Sequence, residues 1–327
     1  MLFPRDMPRL LSVVVPVYNE VEVIPRLREE MAKLNDALGC PLEIILVDDG
    51  SDDGTTEKVC AWAGESPHVR VAVLSRNFGH QIAITAGMDL AAGDAVVIMD
   101  ADLQDPPELV PEMLKGYCEG YDVVYGQRVE RAGETFFKLF TANFFYWLMK
   151  KFLLPGLPVN AGDFRLISRE VLEGLKRMEE TDRFLRGLTA WVGYKQKALP
   201  YRRAPRAAGV TKYPFLKMLR FAADAILSFS DLPLRLIIWF GMLSVLLSGV
   251  LTARIFYLFY TGNEGLVRGW SSISVSIFFF SGVILISMGV MGMYVGRIHR
   301  EVKRRPLYLV RKTFNVEERC GDGRRTQ

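Results

Sequence analysis

The sequence predicts an α/β domain with a mostly parallel sheet flanked by helices, followed by interfacial helices and a two-helix transmembrane hairpin. In the first part of the 327 residues, short runs rich in Val and Ile alternate with segments of helical periodicity. This alternation is typical of a parallel sheet covered on both faces. Farther along, residues 236–253 and 271–296 contain no charged side chain. These two runs predict membrane helices.

The apolar runs of the first part predict five strands, each bounded by Gly, Asp, Asn or Pro: 12–17, 42–47, 69–74, 95–99 and 122–125. Helical periodicity predicts helices over 25–38, 81–91 and 106–117. In such sheets, ligands bind beyond the carboxyl ends of the strands. The loops after the strands are therefore the expected place for a site.

Three of these loops are acidic or polar: PVYNE after the first strand, DDGS after the second and DAD after the fourth. Asp105, which precedes two prolines, is typical of a helix N-cap. Capping does not account for the other carboxylates, which are Asp48, Asp49, Asp100 and Asp102. Crowded carboxylates repel one another, and a bound divalent cation relieves that repulsion. Two carboxylates with room for phosphate oxygens predict Mg²⁺ or Mn²⁺ in a nucleotide site.

Composition and missing motifs exclude several classes of protein. The sequence has neither a Walker A motif nor a Gly-x-Gly-x-x-Gly after a strand, which disfavours P-loop NTPases and dinucleotide dehydrogenases. The four cysteines show no C-x-x-C spacing. The net charge is +4, and basic residues concentrate near the apolar runs, so we expect a lipid surface and no nucleic acid as partner.

The second apolar run, at ~1.5 Å per residue, reaches about 39 Å, which exceeds a hydrocarbon core of ~30 Å. Residues 261–270 separate the two predicted membrane helices (about 234–260 and 271–296), which predicts a hairpin with both ends on one side. The basic residues after the second run put that side in the cytoplasm. Residues 135–152 and 214–229 predict helices on the bilayer surface; their alternative is packing inside the protein or at a subunit contact.

Several motifs occur in a fixed order: VVVPVYNE, VDDGSDDGT, SRNFGHQIAITAGMDLAAGD, MDADLQDPPE and GDFRLISR. As a set they resemble the inverting polyprenyl-phosphate glycosyltransferases with the GT-A fold, related to dolichol-phosphate-mannose synthase. The likeness is strongest to bacterial bactoprenol glucosyltransferases. It implies metal-dependent transfer of a hexose, glucose from UDP-glucose, to undecaprenyl phosphate. Mannose or a modified aminoarabinose, a processive polysaccharide synthase and an inactive sugar-nucleotide-binding scaffold stay open.

The resemblance also implies roles for individual residues. The metal would be held by Asp100, Asp102 and Gln104. The donor would be bound by Pro16, Tyr18, Glu20, Asp48, Asp49, Asp100 and Ala101. The phosphate of the acceptor would face Arg128, Arg131, Arg202, Arg203, Arg206 and Lys212. The catalytic residues would be Asp102, Asp163 and Arg128.

Two of these roles have alternatives, and one further residue, His80, has to be considered beside them. Asp163 either acts as a base or orients a sugar hydroxyl or Arg165. Glu20 either binds the donor or closes a helix start with Asn19 as cap. His80 has no metal-ligating partner at useful spacing, and we interpret it as a turn or cap residue.

We expect four parts: a GT-A domain over residues 1–210, an amphipathic helix over 211–232, two membrane helices within 233–297 (about 234–260 and 271–296), and a basic tail over 298–327. The expected place is the bacterial inner membrane, crossed more than once, with the catalytic domain and both termini in the cytoplasm. The partners are a nucleotide-diphosphate sugar, a polyprenyl phosphate and the bilayer. The sequence leaves a homo-oligomer open.

Overall fold

The structure, a computed structural model, describes residues 3–129, 161–202, 237–243 and 270–316, with a few isolated residues between 246 and 261. The chain separates into two units. One unit consists of Met1–Tyr213 and Pro306–Gln327, and the other of Pro214–Arg305.

The first unit contains a mixed sheet of eight strands in the order β7-β5-β6-β4-β1-β2-β3-β8. The strands are β1 Leu11–Val17, β2 Leu42–Asp48, β3 Val69–Leu74, β4 Ala95–Ile98, β5 Val123–Arg128, β6 Ala161–Ser168, β7 Gln196–Tyr201 and β8 Val310–Phe314. β1 pairs in parallel with both β2 and β4, β2 with β3, and β5 with β7. β6 runs antiparallel to β4 and β5, and β8 runs antiparallel to β3.

Helices cover the sheet. They are α1 Ile24–Ala37, α2 Thr55–Glu65, α3 His80–Leu90, a short 3-10 helix Pro107–Leu109, α4 Val110–Cys118, α5 Arg169–Lys176 and α6 Leu185–Trp191. β1 and β2 are buried along their whole length, as expected for central strands of a sheet covered on both faces. α3 lies against both strands, and Gly87 allows the close approach: a Cβ there would lie 2.3 Å from Val14 Cγ1.

The α/β interpretation and its five strands are confirmed, with the bounds shifted by at most a few residues. Three further strands were not predicted: β6, β7 and β8. The last of these lies in the stretch that the sequence analysis placed in a basic tail, and it pairs with β3 from Val71 to Leu74.

The prediction that Asp105 caps a helix is wrong. The 3-10 helix has Pro106 as its N-cap residue, and no side chain bonds that helix start or the start of α4. Asp105 is fully buried instead, and the hydroxyl of Tyr201 donates a hydrogen bond to its Oδ1. Burial of the carboxylate is tolerated because it has polar partners inside the protein.

In the second unit, α7 extends over Trp270–Val302, which is 33 residues. Its segment Phe279–Val302 contains an 18-residue window with a mean hydropathy of 1.8 and is, among the described residues, the one helix long and apolar enough to cross a membrane. Of the first predicted span, residues 237–243 are helical, and most of the rest lies outside the described residues. The predicted surface helices, 135–152 and 214–229, lie outside them entirely.

Candidate active site

The loops after β1 and β2 are hydrogen-bonded to each other. The amide of Asn19 donates to Ser51 Oγ (3.0 Å), and the amide of Glu20 donates to Thr55 Oγ1 (2.9 Å). Asn19 adopts a left-handed backbone conformation with φ 53°. Glu20 does not close a helix start with Asn19 as cap, because α1 begins at Ile24 with Val23 as N-cap residue. The two loops therefore form one rim.

Two of the predicted donor residues of this rim, Asp48 and Asp49, are engaged in holding the loops. Asp48 Oδ1 accepts from both the amide (3.0 Å) and the hydroxyl (2.6 Å) of Ser51, and its Oδ2 accepts from the hydroxyl of Thr56. Asp49 accepts from the amides of Phe78 (2.7 Å) and Gly79 (2.8 Å), just before α3. Burial raises the pKa of Asp49, although these two amide bonds lower it.

The other predicted donor residues flank this rim. Pro16 is buried in β1, whereas Tyr18 is 45% exposed at the end of that strand. Ala101 is buried between the two carboxylates of the loop after β4. An exposed tyrosine ring beside buried loop anchors leaves an open surface at the carboxyl ends of β1 and β2.

The loop after β4 carries the predicted metal ligands. Asp102 Oδ1 accepts from the amide of Gln104 (3.1 Å), and Leu103 between them has φ 54°. Among the described residues, the buried Gln104 Oε1 has no hydrogen-bond donor, and the buried Asp100 Oδ1 has only the imidazole of His80 near it. Buried oxygens with so few donors suit a hard cation, which takes oxygen ligands. These residues therefore fit Mg²⁺ or Mn²⁺.

The described residues include no group of three or more His, Cys, Asp or Glu side chains arranged to hold a metal. The protein thus offers two carboxylates, Asp100 and Asp102, and one amide oxygen. Mg²⁺ in nucleotide sites is commonly held by one or two carboxylates plus phosphates, so this set agrees with a metal that binds together with a phosphate ligand.

The antiparallel pairing of β6 brings Asp163 to the same place. Ile98 lies opposite Arg165 in the ladder, and two further residues along each strand set Asp100 opposite Asp163. The imidazole of His80, the first residue of α3, lies between the two carboxylates. Its Nε2 is 3.3 Å from Asp100 Oδ1 and 3.5 Å from Asp163 Oδ2. Burial lowers the pKa of His80, but the two carboxylates outweigh it and raise that pKa to about 10.

Asp163 is 6% exposed and is bound by two more side chains. Arg186 contacts it with both arms, Nε to Oδ1 at 2.9 Å and Nη2 to Oδ2 at 3.1 Å. Gln81 donates to Oδ2 at 3.1 Å. Burial raises the pKa of Asp163, but the charge of Arg186 and the bonds from His80 and Arg186 hold that pKa well below its ordinary value.

In the alternative interpretation, the side chain of Asp163 orients Arg165, but in the structure Arg165 contacts the backbone carbonyl of Asp163. Arg165 is fully buried, and its guanidinium donates to two backbone carbonyls, of Gly162 (2.8 Å) and of Asp163 (3.3 Å). The carboxylate itself pairs with Arg186. The sequence analysis did not name Arg186 as a site residue.

Arg128, at the end of β5, is held in a polar niche. Its Nε donates to the hydroxyl of Tyr201 (3.2 Å), and its Nη2 lies 3.6 Å from Asp105 Oδ1. Gly162 makes room for the guanidinium, since a Cβ at that position would lie 2.6 Å from Arg128 Nη2. Because Gly162 precedes Asp163, the same strand end contacts Arg128 and positions Asp163.

The structure brings together the loop after β4, which carries Asp100 and Asp102, with Asp163 of β6 and Arg128 at the end of β5. Arg202 is exposed just after β7. The remaining predicted phosphate-binding residues lie outside the described residues: Arg131, Arg203, Arg206 and Lys212.

Sequence reasoning missed several side chains at this site: His80, Gln81, Asp105, Arg186 and Tyr201. For the first two a signal was present, because the third strand also ends at the carboxyl rim and is followed by SRNFGHQ. For Arg186 and Tyr201 there was none, since α6 and the edge strand β7 reach the site only through the mixed sheet.

Residues 12–176 match the family described as "Glycosyl transferase family 2". The chain is 46% identical over 310 residues to "Uncharacterized glycosyltransferase YkcC" of Bacillus subtilis, covering 94% of this chain and 95% of that protein. It is 40% identical over 304 residues to "SfII prophage-derived bactoprenol glucosyl transferase" of Shigella flexneri, covering 93% of this chain and 98% of that protein. Among solved structures, glucosyl-3-phosphoglycerate synthase from Mycobacterium tuberculosis aligns with a TM-score of 0.46 at 25% identity, covering 67% and 78% of the two chains.

Proposed function

The chain belongs to glycosyl transferase family 2, and from that premise we propose that it transfers glucose from UDP-glucose to a polyprenyl phosphate such as undecaprenyl phosphate. The observation that carries the proposal is the 40% identity to a bactoprenol glucosyl transferase over 93% of this chain and 98% of that protein. This likeness extends beyond the sheet through the apolar segments, which an enzyme with a lipid acceptor needs.

In the proposed reaction, a phosphate oxygen of the acceptor attacks the anomeric carbon of the sugar from the face opposite the diphosphate. The bond from that carbon to the diphosphate oxygen breaks, and its electron pair leaves with the nucleoside diphosphate. The anomeric configuration is therefore inverted. The acceptor phosphate, with a second pKa near ~6, is already ionised at neutral pH and needs no strong base.

Asp100, Asp102 and Gln104 would hold the metal. When bound, Mg²⁺ or Mn²⁺ neutralises charge that develops on the departing diphosphate. The protein's own part is to fix these oxygens at the end of β4, beside the rim formed by the loops after β1 and β2. Tyr18 and Glu20 of that rim would contact the nucleoside.

Arg128 would bind a phosphate group in this reaction. Its guanidinium is anchored by Tyr201 and Asp105 and so meets the substrate in one orientation. An anchored guanidinium loses less side-chain entropy on binding than a free one, and its planar fork matches phosphate oxygens. Arg131, Arg202, Arg203, Arg206 and Lys212 are further candidates for the acceptor phosphate.

The acceptor keeps its headgroup at the bilayer surface while its chain stays in the hydrocarbon, so the enzyme must work next to the membrane. α7 supplies one helix of suitable length. We place the protein in the bacterial inner membrane as a two-span hairpin, with the sheet and both termini in the cytoplasm.

The test is a transfer assay on membranes that contain the protein, with undecaprenyl phosphate, Mg²⁺ or Mn²⁺ and a panel of labelled sugar nucleotides. Label from UDP-glucose should enter the lipid phase and should be lost with EDTA. Membranes with the Asp102→Asn variant are the matched control.

Label from a mannose or aminoarabinose donor in place of UDP-glucose would change the sugar and keep the reaction class. Incorporation of label that continues after EDTA would refute the requirement for a metal ion. Binding of a sugar nucleotide without transfer from any donor would refute the proposed enzymatic activity and favour an inactive scaffold protein.

A further inference from the structure

We propose that Asp163 takes no proton in the reaction, and that Arg186 and Gln81 are positioning residues that fix it as an anchor for His80 beside Asp100. This inference rests on the proposed function and states which side chains of its site bind and which ones position their neighbours. Asp163 shares the imidazole of His80 with Asp100, and for that reason it is the natural candidate for a base.

The oxygens of Asp163 are already occupied. A carboxylate has about four acceptor positions. Arg186 takes one on each oxygen, at 2.9 Å and 3.1 Å, and Gln81 takes another on Oδ2 at 3.1 Å. His80 approaches the same Oδ2 at 3.5 Å. Oδ2 therefore has no acceptor position left, and a proton on Oδ1 would have to enter beside the Arg186 guanidinium, in a pocket where the residue is 6% exposed.

The partners of Asp163 come from separate elements that are themselves joined. Gln81 lies on α3 and donates to Asp163, while its Oε1 accepts from the amide of Leu185 at 3.0 Å. Leu185 is the first residue of α6, and Arg186 follows it. One amide side chain thus links α3, β6 and α6 around the carboxylate, which is the arrangement expected of a structural anchor.

The charges around Asp163 support this role. Two guanidinium groups face it, Arg186 from α6 and Arg165 from its own strand, and the imidazole of His80 lies 3.5 Å from its Oδ2. Asp100 lies on the far side of His80. Burial raises the pKa of Asp163, but these groups hold it well below the ordinary value, and a carboxyl with a low pKa is a weak proton acceptor at neutral pH.

The test is a double-mutant cycle with Asp163→Asn, Arg186→Gln and the double variant in the full-length protein. For each we would measure the turnover number of lipid glucosylation and, by calorimetry, the dissociation constant of the donor nucleotide sugar. A positioning role predicts a loss of turnover of about 100-fold for each single variant, and a double variant no worse than the worse single one. It also predicts donor binding that is weakened about tenfold in both, since the loop at Asp100 loses its support.

A base at Asp163 predicts a different pattern. Asp163→Asn would then lose turnover and bind the donor as the wild type does. A base oriented by Arg186 would also give a double variant no worse than the worse single one, so donor binding decides between the two roles. Lost turnover with wild-type donor binding in Asp163→Asn would overturn the inference. If the wild type transfers no sugar, the proposed function fails, while donor binding in the same variants still decides whether Asp163 is an anchor.

Two further variants guard against a trivial loss of folding. Gln81→Met removes one bond to Asp163 and keeps the ion pair, and should give a smaller loss of the same kind in both measurements. Arg28→Gln breaks the exposed pair between the second turn of α1 and Glu65 of α2 (2.7 Å) and should match the wild type in turnover, donor binding and melting temperature. A Gln81→Met variant that folds and loses neither activity nor donor affinity would contradict the positioning role of that residue.

Discussion

At the scale of single residues, the carboxylates of the rim differ in how many of their oxygens are already bonded. Asp48, Asp49 and Asp163 accept hydrogen bonds on both oxygens from neighbouring loops and helices. Among the described residues, Gln104 Oε1 has no donor, and Asp100 Oδ1 has only the imidazole of His80, 3.3 Å away. A cation should therefore bind at the second group, because fewer existing donors have to be displaced there.

The first prediction concerns Asp102. We expect Asp102→Asn to reduce transfer by at least ~100-fold, since an amide oxygen does not neutralise a divalent cation. Folding should persist because the new amide oxygen still accepts from the Gln104 amide, as Asp102 Oδ1 does at 3.1 Å. Transfer and Mn²⁺ binding are measured side by side. The control is Asp52→Asn, an exposed carboxylate on the same rim, and an active Asp102→Asn enzyme would remove this residue from the metal site.

The second prediction concerns the niche of Arg128. Tyr201→Phe removes the hydroxyl that accepts from Arg128 Nε (3.2 Å) and donates to Asp105. A hydrogen bond to a charged group contributes ~1.5–3 kcal/mol, so we expect a loss of about 10- to 100-fold in kcat/KM. Kinetics with varied acceptor and varied donor would show which substrate the niche serves.

If Arg128 binds the acceptor phosphate, the loss should fall mainly on the KM of the lipid. Tyr194→Phe is the matched control, because Tyr194 is 39% exposed. Equal kinetics for Tyr201→Phe and wild type would mean that the orientation of Arg128 does not limit the reaction.

At the scale of elements, α3 matters most to the site because it begins with His80 and Gln81. Its position is set by Gly87, where an added Cβ would lie 2.3 Å from Val14 Cγ1 and 3.1 Å from Val47 Cγ2. Both valines belong to buried central strands and have little room to move. A change at Gly87 should therefore be transmitted along the helix to its first turn.

The third prediction follows from this packing. Gly87→Ala should destabilise the fold by about 1–3 kcal/mol through overpacking and should lower activity by displacing His80 and Gln81. Gly64→Ala in α2 is the control, because nothing lies within 4 Å of its added Cβ, and it should be neutral or stabilising by up to ~1 kcal/mol. Chemical denaturation measures both. A Gly87→Ala variant as stable as the wild type would mean that the strands yield to the added methyl group.

The strands differ in whether they can be recognised from the sequence alone. Runs of Val and Ile identify β1 to β4 because buried parallel strands are uniformly apolar. β6 does not follow this rule: it is buried throughout, yet Asp163 and Arg165 interrupt it. Asp163 pairs with Arg186, which is distant in sequence, and Arg165 donates to backbone carbonyls of its own strand. β7 contains Pro200, which an edge strand tolerates. β8 is mostly exposed and is recognisable only by its pairing with β3.

The residues of the candidate site also differ in whether the sequence predicts them. The carboxylates after β2 and β4 stand out from sequence because polar residues rarely follow buried strands without a reason. Tyr201 and Arg186 do not, because their approach depends on the order of β5, β6 and β7 in the sheet. Asp105 was misassigned for a related reason: the motif D-P-P-E is typical of a helix start, and only the tertiary structure shows its carboxylate bonded to Tyr201.

At the scale of the whole molecule, β8 constrains how often the chain crosses the membrane. The strands before the apolar segments and the strand after them belong to one sheet, because β8 pairs with β3. Tyr308 Oη also donates to Asp89 Oδ2 (2.8 Å), and Asn315 Nδ2 donates to the carbonyl of Val69 (2.9 Å). A chain that leaves and rejoins one sheet must cross a bilayer an even number of times. If α7 crosses once, we expect a second crossing in the part of the chain between β7 and α7.

The fourth prediction tests this even number directly. Reporters active only outside the cytoplasm, or only inside it, would be fused at position 265 and at the C-terminus. We expect the first fusion to report the outside and the second the cytoplasm, because β8 cannot pair with β3 from the opposite face of the bilayer. A fusion after residue 202, at the end of β7, should report the cytoplasm and serves as the control. A cytoplasmic signal at position 265 would mean that α7 lies along the membrane without crossing it, and the two-span hairpin would then be wrong.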